Sequence, residues 1–137
     1  MNRKGFTLVE LLAVIVLLGI ILIIAVPKFS HVVKESDENL FKTNSKLVLK
    51  EILNIYESEY KGSLNTSNVI YNINNGKVEK DSKIYDINLK DDTATGRVEI
   101  DNDGNAKMVL KNDKYCVVKE FNNAELQEYD SSDSRCQ

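Results

Sequence analysis

Residues 4–27 read KGFTLVELLAVIVLLGIILIIAVP. From Leu11 to Val26 every side chain is apolar except at Gly19, a composition suited to lipid rather than water. Glu10 stands immediately before that run, with Phe6, Leu8 and Val9 upstream. A helix over Phe6–Val26 therefore carries a carboxylate in its first turns. What that acid is for decides what kind of helix this is.

Three readings compete. A cleaved secretory signal has the basic start seen at Arg3 and Lys4 and the apolar middle, but it ends in small residues, and IIAVPKF offers no such site. A plain membrane anchor is long enough, since about 21 residues at about 1.5 Å each cross a hydrocarbon core about 30 Å thick. Charge does not orient it: Arg3 and Lys4 precede the span, while Lys28, Lys34, Lys42 and Lys46 follow it. The soluble remainder makes an outside C-terminus the better assignment.

The third reading explains the acid. A carboxylate costs about 2.5–3.5 kcal/mol at mid-bilayer and less near an interface. Such a residue calls for a partner, and the span itself offers none. Headgroups, water or another copy of the chain must supply it. A cut between Gly5 and Phe6 would create a positive amine four residues from Glu10. Helices packed side by side with a small axial offset could then pair each Glu10 with a neighbour's amine, fixing register in a low-dielectric bundle.

KGFTLVELL resembles the processing signature of type IV pilins and of the pseudopilins of secretion and DNA-uptake machines. The resemblance implies a leader over residues 1–5, cleavage after Gly5 by a prepilin peptidase, and N-methylation of Phe6. It also implies an assembly role for Glu10, Gly19 and Pro27. Pro27 cannot donate to the residue four back and Gly19 is a poor helix former, so the zone between them is the weakest part of the helix. In the family's filaments such a zone resembles a place where helix melts as the fibre stretches. Close helix–helix packing is the other reading of Gly19.

Residues 28–137 form the expected extracytoplasmic head. Setting aside Arg3, Lys4 and Glu10 leaves 16 Lys+Arg against 20 Asp+Glu, a net of −4, which argues against a broad nucleic-acid-binding face. Residues 28–61 place apolar side chains at Phe29, Val32, Val33, Leu40, Phe41, Leu47, Val48, Ile52, Ile55 and Tyr56, a helical spacing with Gly62 as its stop. Lys42, Lys46 and Lys50 recur every four residues. They form a solvated ridge or, in the sharper reading, meet an acidic neighbour in a filament. His31 lacks ligand partners in view. Tyr56 and Tyr60 read as packing residues rather than an electron path.

After Gly62 the texture turns to short β-rich runs, NVIYNI, SKIYDINL, RVEI, AKMVLK and KYCVVKEF, punctuated by turns. Asn75-Gly76 and Asp103-Gly104 are hairpin signals whose central positions tolerate positive φ. The expected fold is α+β: a long N-terminal helix packed on an antiparallel meander of four or five strands over about 68–121. Ile84, Val98, Met108, Leu110 and Val117 are expected to face the helix. Cys116 and Cys136 read as a disulfide outside the cytoplasm that bounds a C-terminal loop, with two free thiols as the alternative. The alternation Asp101, Asp103, Asn105 reads as a hairpin turn rather than a calcium loop, lacking the closing acid, and Asn65-Thr66-Ser67 matches a glycosylation sequon.

No catalytic constellation, phosphate loop, metal set or cofactor motif stands out. The resemblance implies a structural subunit of a type IV pilus, or alternatively a pseudopilin of a type II secretion or competence machine. Its implied partners are copies of itself and other pilins, the prepilin peptidase, an assembly platform protein and its ATPase. The membrane would hold the precursor, and an extracellular fibre the mature subunit.

Overall fold

A computed structural model of the chain describes residues 5–60, 67–87, 89 and 91–137. The described elements are the helix α1 (Leu8–Tyr60) and strands β1 (Val69–Asn74), β2 (Lys77–Lys80), β3 (Lys83–Tyr85), β4 (Thr95–Ile100), β5 (Ala106–Lys111), β6 (Tyr115–Lys119) and β7 (Gln127–Asp130), then a 3₁₀ turn at Ser134–Cys136. The chain divides into two compact units, Met1–Asp37 and Glu38–Gln137. The first holds the apolar part of α1; the second holds the rest of the helix and the whole sheet.

Within the second unit the α+β expectation holds, with seven strands instead of four or five. All pairings are antiparallel, in the order β3-β2-β1-β4-β5-β6-β7. This is not one meander. Two meanders, β1–β3 and β4–β7, join where β4 pairs with β1. The chain must therefore return from β3 across the sheet to the free side of β1. The run SKIYDINL, expected as one strand, ends its strand at Tyr85 and spends Ile87, which is buried, in that return. Its alternating pattern serves a half-buried crossover as well as a strand. β2 and β7 escape sequence reading because KVEK and QEYD hold one apolar and one aromatic side chain respectively.

Alternation along the strands builds the core. Val69, Tyr71 and Ile73 of β1, Val98 and Ile100 of β4, Ala106, Met108 and Leu110 of β5, and Val117 of β6 lie buried in one cluster with Phe41, Val48, Leu49 and Ile52 of α1. Ser45 is buried on the helix too, and its hydroxyl donates to the Phe41 carbonyl at 2.8 Å, so a small polar side chain is satisfied without a partner on the sheet. Leu40 and Leu47, part of the expected apolar pattern, are instead 58% and 59% exposed. The spacing mixed two faces of the helix, and Leu49 takes the inward place.

Ile84 is a second correction, at 61% exposed. Val78 pairs with Tyr85 and faces the core, so Ile84, paired with Glu79, turns the other way. The remaining four expected core residues are fully buried.

The turns follow local chemistry. Asn75 and Gly76 both have positive φ, 48° and 73°, as a tight hairpin requires. The second hairpin departs from expectation: among its residues only Gly104 is left-handed, at φ 82°. Asp101 orders that loop, its Oδ1 accepting from the backbone N–H of Asp103 at 3.0 Å and of Asn105 at 2.8 Å. The crossover is pinned by Asp91, which accepts from Thr93 and, at 2.7 Å, from the Asn112 side chain. Ala94 there accepts from the Gly76 N–H at 3.2 Å.

Gly96 on β4 has no room for a side chain, because an added Cβ would sit 2.1 Å from the Val109 carbonyl oxygen. Gly96→Ala is expected to destabilise the head by about 3 kcal/mol or more, since the neighbour is backbone and cannot swing away. Circular-dichroism melting of the full chain in detergent checks this. Gly19→Ala, where nothing lies within 4 Å, should leave the head's transition in place.

Candidate functional site

The N-terminal end of α1 is built around Thr7. Its backbone N–H and its hydroxyl both donate to Glu10 Oε2 at 2.9 Å, and the Glu10 N–H donates back to Thr7 Oγ1 at 3.3 Å. This is a capping box: each residue satisfies a backbone donor that the first helical turn leaves open. The expectation that Glu10 lacks a partner within its own chain is thereby corrected. The Thr-x-x-Glu spacing of residues 7–10 is the signal that could have revealed it. Both side-chain bonds use Oε2, so Oε1 takes part in neither. Phe6 precedes the helix and is 84% exposed, a start two residues later than a helix over Phe6–Val26 would have. Gly5 is exposed beside it; Arg3 and Lys4 lie outside the described residues.

Beyond Glu10 the helix is long and apolar enough to cross a membrane. Its large side chains from Leu11 to Val26 range from 46% exposed at Val14 to 77% at Ile23. A Cβ on Gly19 would meet nothing within 4 Å, so the chain's own packing does not demand glycine there. Pro27 lies inside the helix, which runs through it to Tyr60. His31 is exposed.

In the second unit α1 crosses the sheet with a charged contact near each end. Lys42 Nζ lies 3.0 Å from Glu128 Oε1 on β7, as an ion pair without hydrogen-bond alignment, and Phe41 packs on Tyr115 of β6 at 6.0 Å between ring centres. The first lysine of the ridge is therefore spoken for, while Lys46 and Lys50 are exposed.

At the other end sits a cluster that sequence reading did not find. The Glu59 carboxylate accepts from Lys80 at 2.9 Å, from Lys83 and Tyr71 at 3.3 Å, and from the Tyr85 hydroxyl. Lys80 also donates to the Tyr60 hydroxyl at 2.7 Å and lies over the Tyr60 and Tyr71 rings, 4.6 and 5.4 Å from their centres. Nothing in the local pattern marks Glu59, whose partners come from β1, β2 and β3.

The Tyr85 hydroxyl, then Lys80, hold the Glu59 carboxyl down at about 2. Burial pulls Lys80 down, but its bonds to Tyr60 and Glu59 more than offset this and leave it above the ordinary lysine value. Burial likewise raises Tyr71, which stays a donor. The arrangement cross-links helix to sheet and holds Tyr60 in place, with Tyr56 tilted against it at 5.0 Å between ring centres.

Cys116 and Cys136 form the expected disulfide, with Cα atoms 6.2 Å apart. It lies with Val118 in a small cluster separate from the main core, joined by Val109 and Tyr129. Cys116 and Val118 alternate with the core-facing Val117, so the bridge holds the tail on the sheet face away from α1. Of the Asn65-Thr66-Ser67 sequon, the first two residues lie outside the described residues, as does Gly62. Asp101 spends its carboxylate on the loop's own N–H groups, including an Asn105 Nδ2 contact at 3.1 Å.

The Glu59 cluster makes stability depend on acid. A carboxyl lower in the folded than in the unfolded chain contributes stability that is present above its ordinary value of 4.5 and lost as pH falls towards about 2. Glu59→Gln is expected to lower head stability at neutral pH by about 1–2 kcal/mol, with charged hydrogen bonds lost. It should also flatten the decline of melting temperature between pH 4.5 and 2. Thermal unfolding followed against pH checks both.

Comparison with known proteins bears on the first unit. Residues 1–26 match the family described as the prokaryotic N-terminal methylation motif. No curated protein and no solved structure matches the chain. The match covers the basic start, Gly5, Phe6, Glu10 and the apolar run, the region whose capping box and uncovered apolar helix are described above. In general that motif implies processing by a prepilin peptidase and assembly, and with the apolar helix it fits a membrane-anchored precursor and a structural subunit. Residues 1–26 thus carry the prokaryotic N-terminal methylation motif, and over that stretch the chain is similar to prepilins of the type IV pilin and pseudopilin kind.

Proposed function

We propose that this chain is the structural subunit of a type IV pilus. The leader, residues 1–5, is removed after Gly5 and Phe6 is N-methylated. The helix over 6–27 then leaves the bilayer and packs with copies of itself into a fibre core. Glu10 and a neighbour's Phe6 amine set the register, while Gly19 and Pro27 tune packing and bend. The head, with its Cys116–Cys136 loop, forms the fibre surface used in adhesion, twitching or biofilm growth. A prepilin peptidase, a platform protein and an assembly ATPase are the partners such assembly needs. The supporting observation is a methylation motif leading into a helix whose apolar side chains have no cover within the described chain. Lipid covers that surface before assembly, and neighbouring helices cover it afterwards.

Intact-mass analysis of the protein from its host tests processing. The expected species starts at N-methylated Phe6, and an uncut chain starting at Met1 overturns the reading. Substitution at Glu10 separates its two roles. Gln at this position can still complete a capping box but cannot pair as a charge with an amine. Both Glu10→Gln and Glu10→Ala should be cut normally and fail to form fibres seen by electron microscopy. Fibres in normal number from Glu10→Gln would show that capping suffices and that register does not need the charge. Long surface fibres are expected; a short, cell-bound assembly tied to secretion or DNA uptake would instead assign the chain to the pseudopilins.

A further inference from the structure

An open groove of about 530 Å³ lies between α1 and the edge strand β3. Ile55 and Ser58 of the helix line one side, Ile84 and Tyr85 the other, and Glu51 and Asp86 bring negative charge to it. Ile84 is 61% exposed, although large apolar side chains on a sheet edge are normally covered or replaced by charge. Neither Glu51 nor Asp86 has an ion pair among the described residues. One to three turns earlier, the same helix presents a surface of opposite character. Leu40 and Leu47 recur at seven residues and are 58% and 59% exposed. Exposed Lys46 and Lys50 flank them and likewise lack an ion pair among the described residues.

The geometry points to a contact between heads: the Leu40–Lys50 surface of one copy seats in the Glu51–Asp86 groove of the next. Leu47 covers Ile84 and Ile55, Lys46 approaches Glu51 and Lys50 approaches Asp86. Apolar meets apolar and basic meets acidic, while the reverse pairing would oppose like charges. The inference rests on the polymerising reading above, since copies anchored by the same end must lie parallel. Parallel copies cannot exchange these two surfaces about a two-fold axis. The contact is therefore heterologous, and repetition propagates a helical array instead of closing a dimer. Two surfaces displaced along one helix also define an axial stagger, which a self-complementary patch would not.

Cysteine cross-linking in the full chain, assembled in its host, tests the contact. The double variant Leu47→Cys with Ile84→Cys should give a ladder of covalent oligomers beyond the dimer on non-reducing gels, and each single variant should remain monomeric. A dimer from Leu47→Cys alone, or a band linked to a different protein, overturns the proposal. A second measurement avoids new thiols. Lys50→Glu and Asp86→Lys should each reduce sheared fibre yield about tenfold, and their combination should restore it to within about twofold, as expected for directly coupled charges. Loss without rescue overturns the contact. Wild-type fibres are scored alongside. Fibres without the ladder overturn this contact and leave polymerisation standing, whereas no wild-type fibres at all would remove polymerisation and this contact with it.

Discussion

The buried face of the sheet against α1 is the contact on which the head depends. Tyr71, Ile73, Val98, Ile100, Met108, Leu110 and Val117 are all fully buried. They come from strands far apart in sequence, and no one strand buries its face alone. Antiparallel strands with one apolar and one polar side need a cover, and the helix stripe of Phe41, Val48, Leu49 and Ile52 provides it. Each of those side chains contributes about 1.5–3 kcal/mol when taken out of water, well above any surface ion pair here. The charged contacts at Lys42–Glu128 and Glu59–Lys80 therefore serve chiefly to fix where along the sheet the helix lies. An apolar stripe alone tolerates sliding; a carboxylate that needs four donors does not.

The apolar half of α1 follows a different constraint. Its side chains point outward on every side, and no strand or second helix of the described chain lies over them. A helix that is apolar all round is stable only where its surroundings are apolar too. This makes the first unit a part whose folding environment is supplied from outside the chain, in the proposed function first by lipid and then, in the fibre, by other copies.

Legibility in the sequence tracks how local each feature's cause is. The methylation motif, the apolar span, the Asn75-Gly76 turn and the Cys116–Cys136 bridge were readable because each rests on a short string or a simple count. Thr7 as the partner of Glu10 is equally local, since the Thr-x-x-Glu string marks a helix start, whereas the apolar span beside it carries no such signal. By contrast, β2 and β7 are polar strands held by their neighbours' hydrogen bonds and not by their own pattern. Ile84 faces outward because the register against β2 fixes its parity, and register is a pairwise property that one strand's sequence does not carry. Glu59 is the extreme case: an ordinary acid on a helix until three strands bring two lysines and two tyrosines to it.

Glu10 shows how one residue can satisfy two opposed demands. In a lone chain near the membrane edge, an uncapped helix end leaves backbone donors without partners, which is expensive in lipid, and the Thr7–Glu10 box removes that cost by using Oε2. The same box holds the carboxylate at the helix start, beside the position where the proposed cut after Gly5 would create an amine. It leaves Oε1 free of both side-chain bonds. A neighbour's amine could therefore bind without dismantling the cap, so in the proposed fibre register would be added to a preorganised group instead of exchanged for an existing bond. Preorganisation reduces the ordering cost of association. It also gives a physical reason for glutamate over aspartate at this place: the longer side chain reaches back to the Thr7 N–H three residues earlier while still presenting its second oxygen outward.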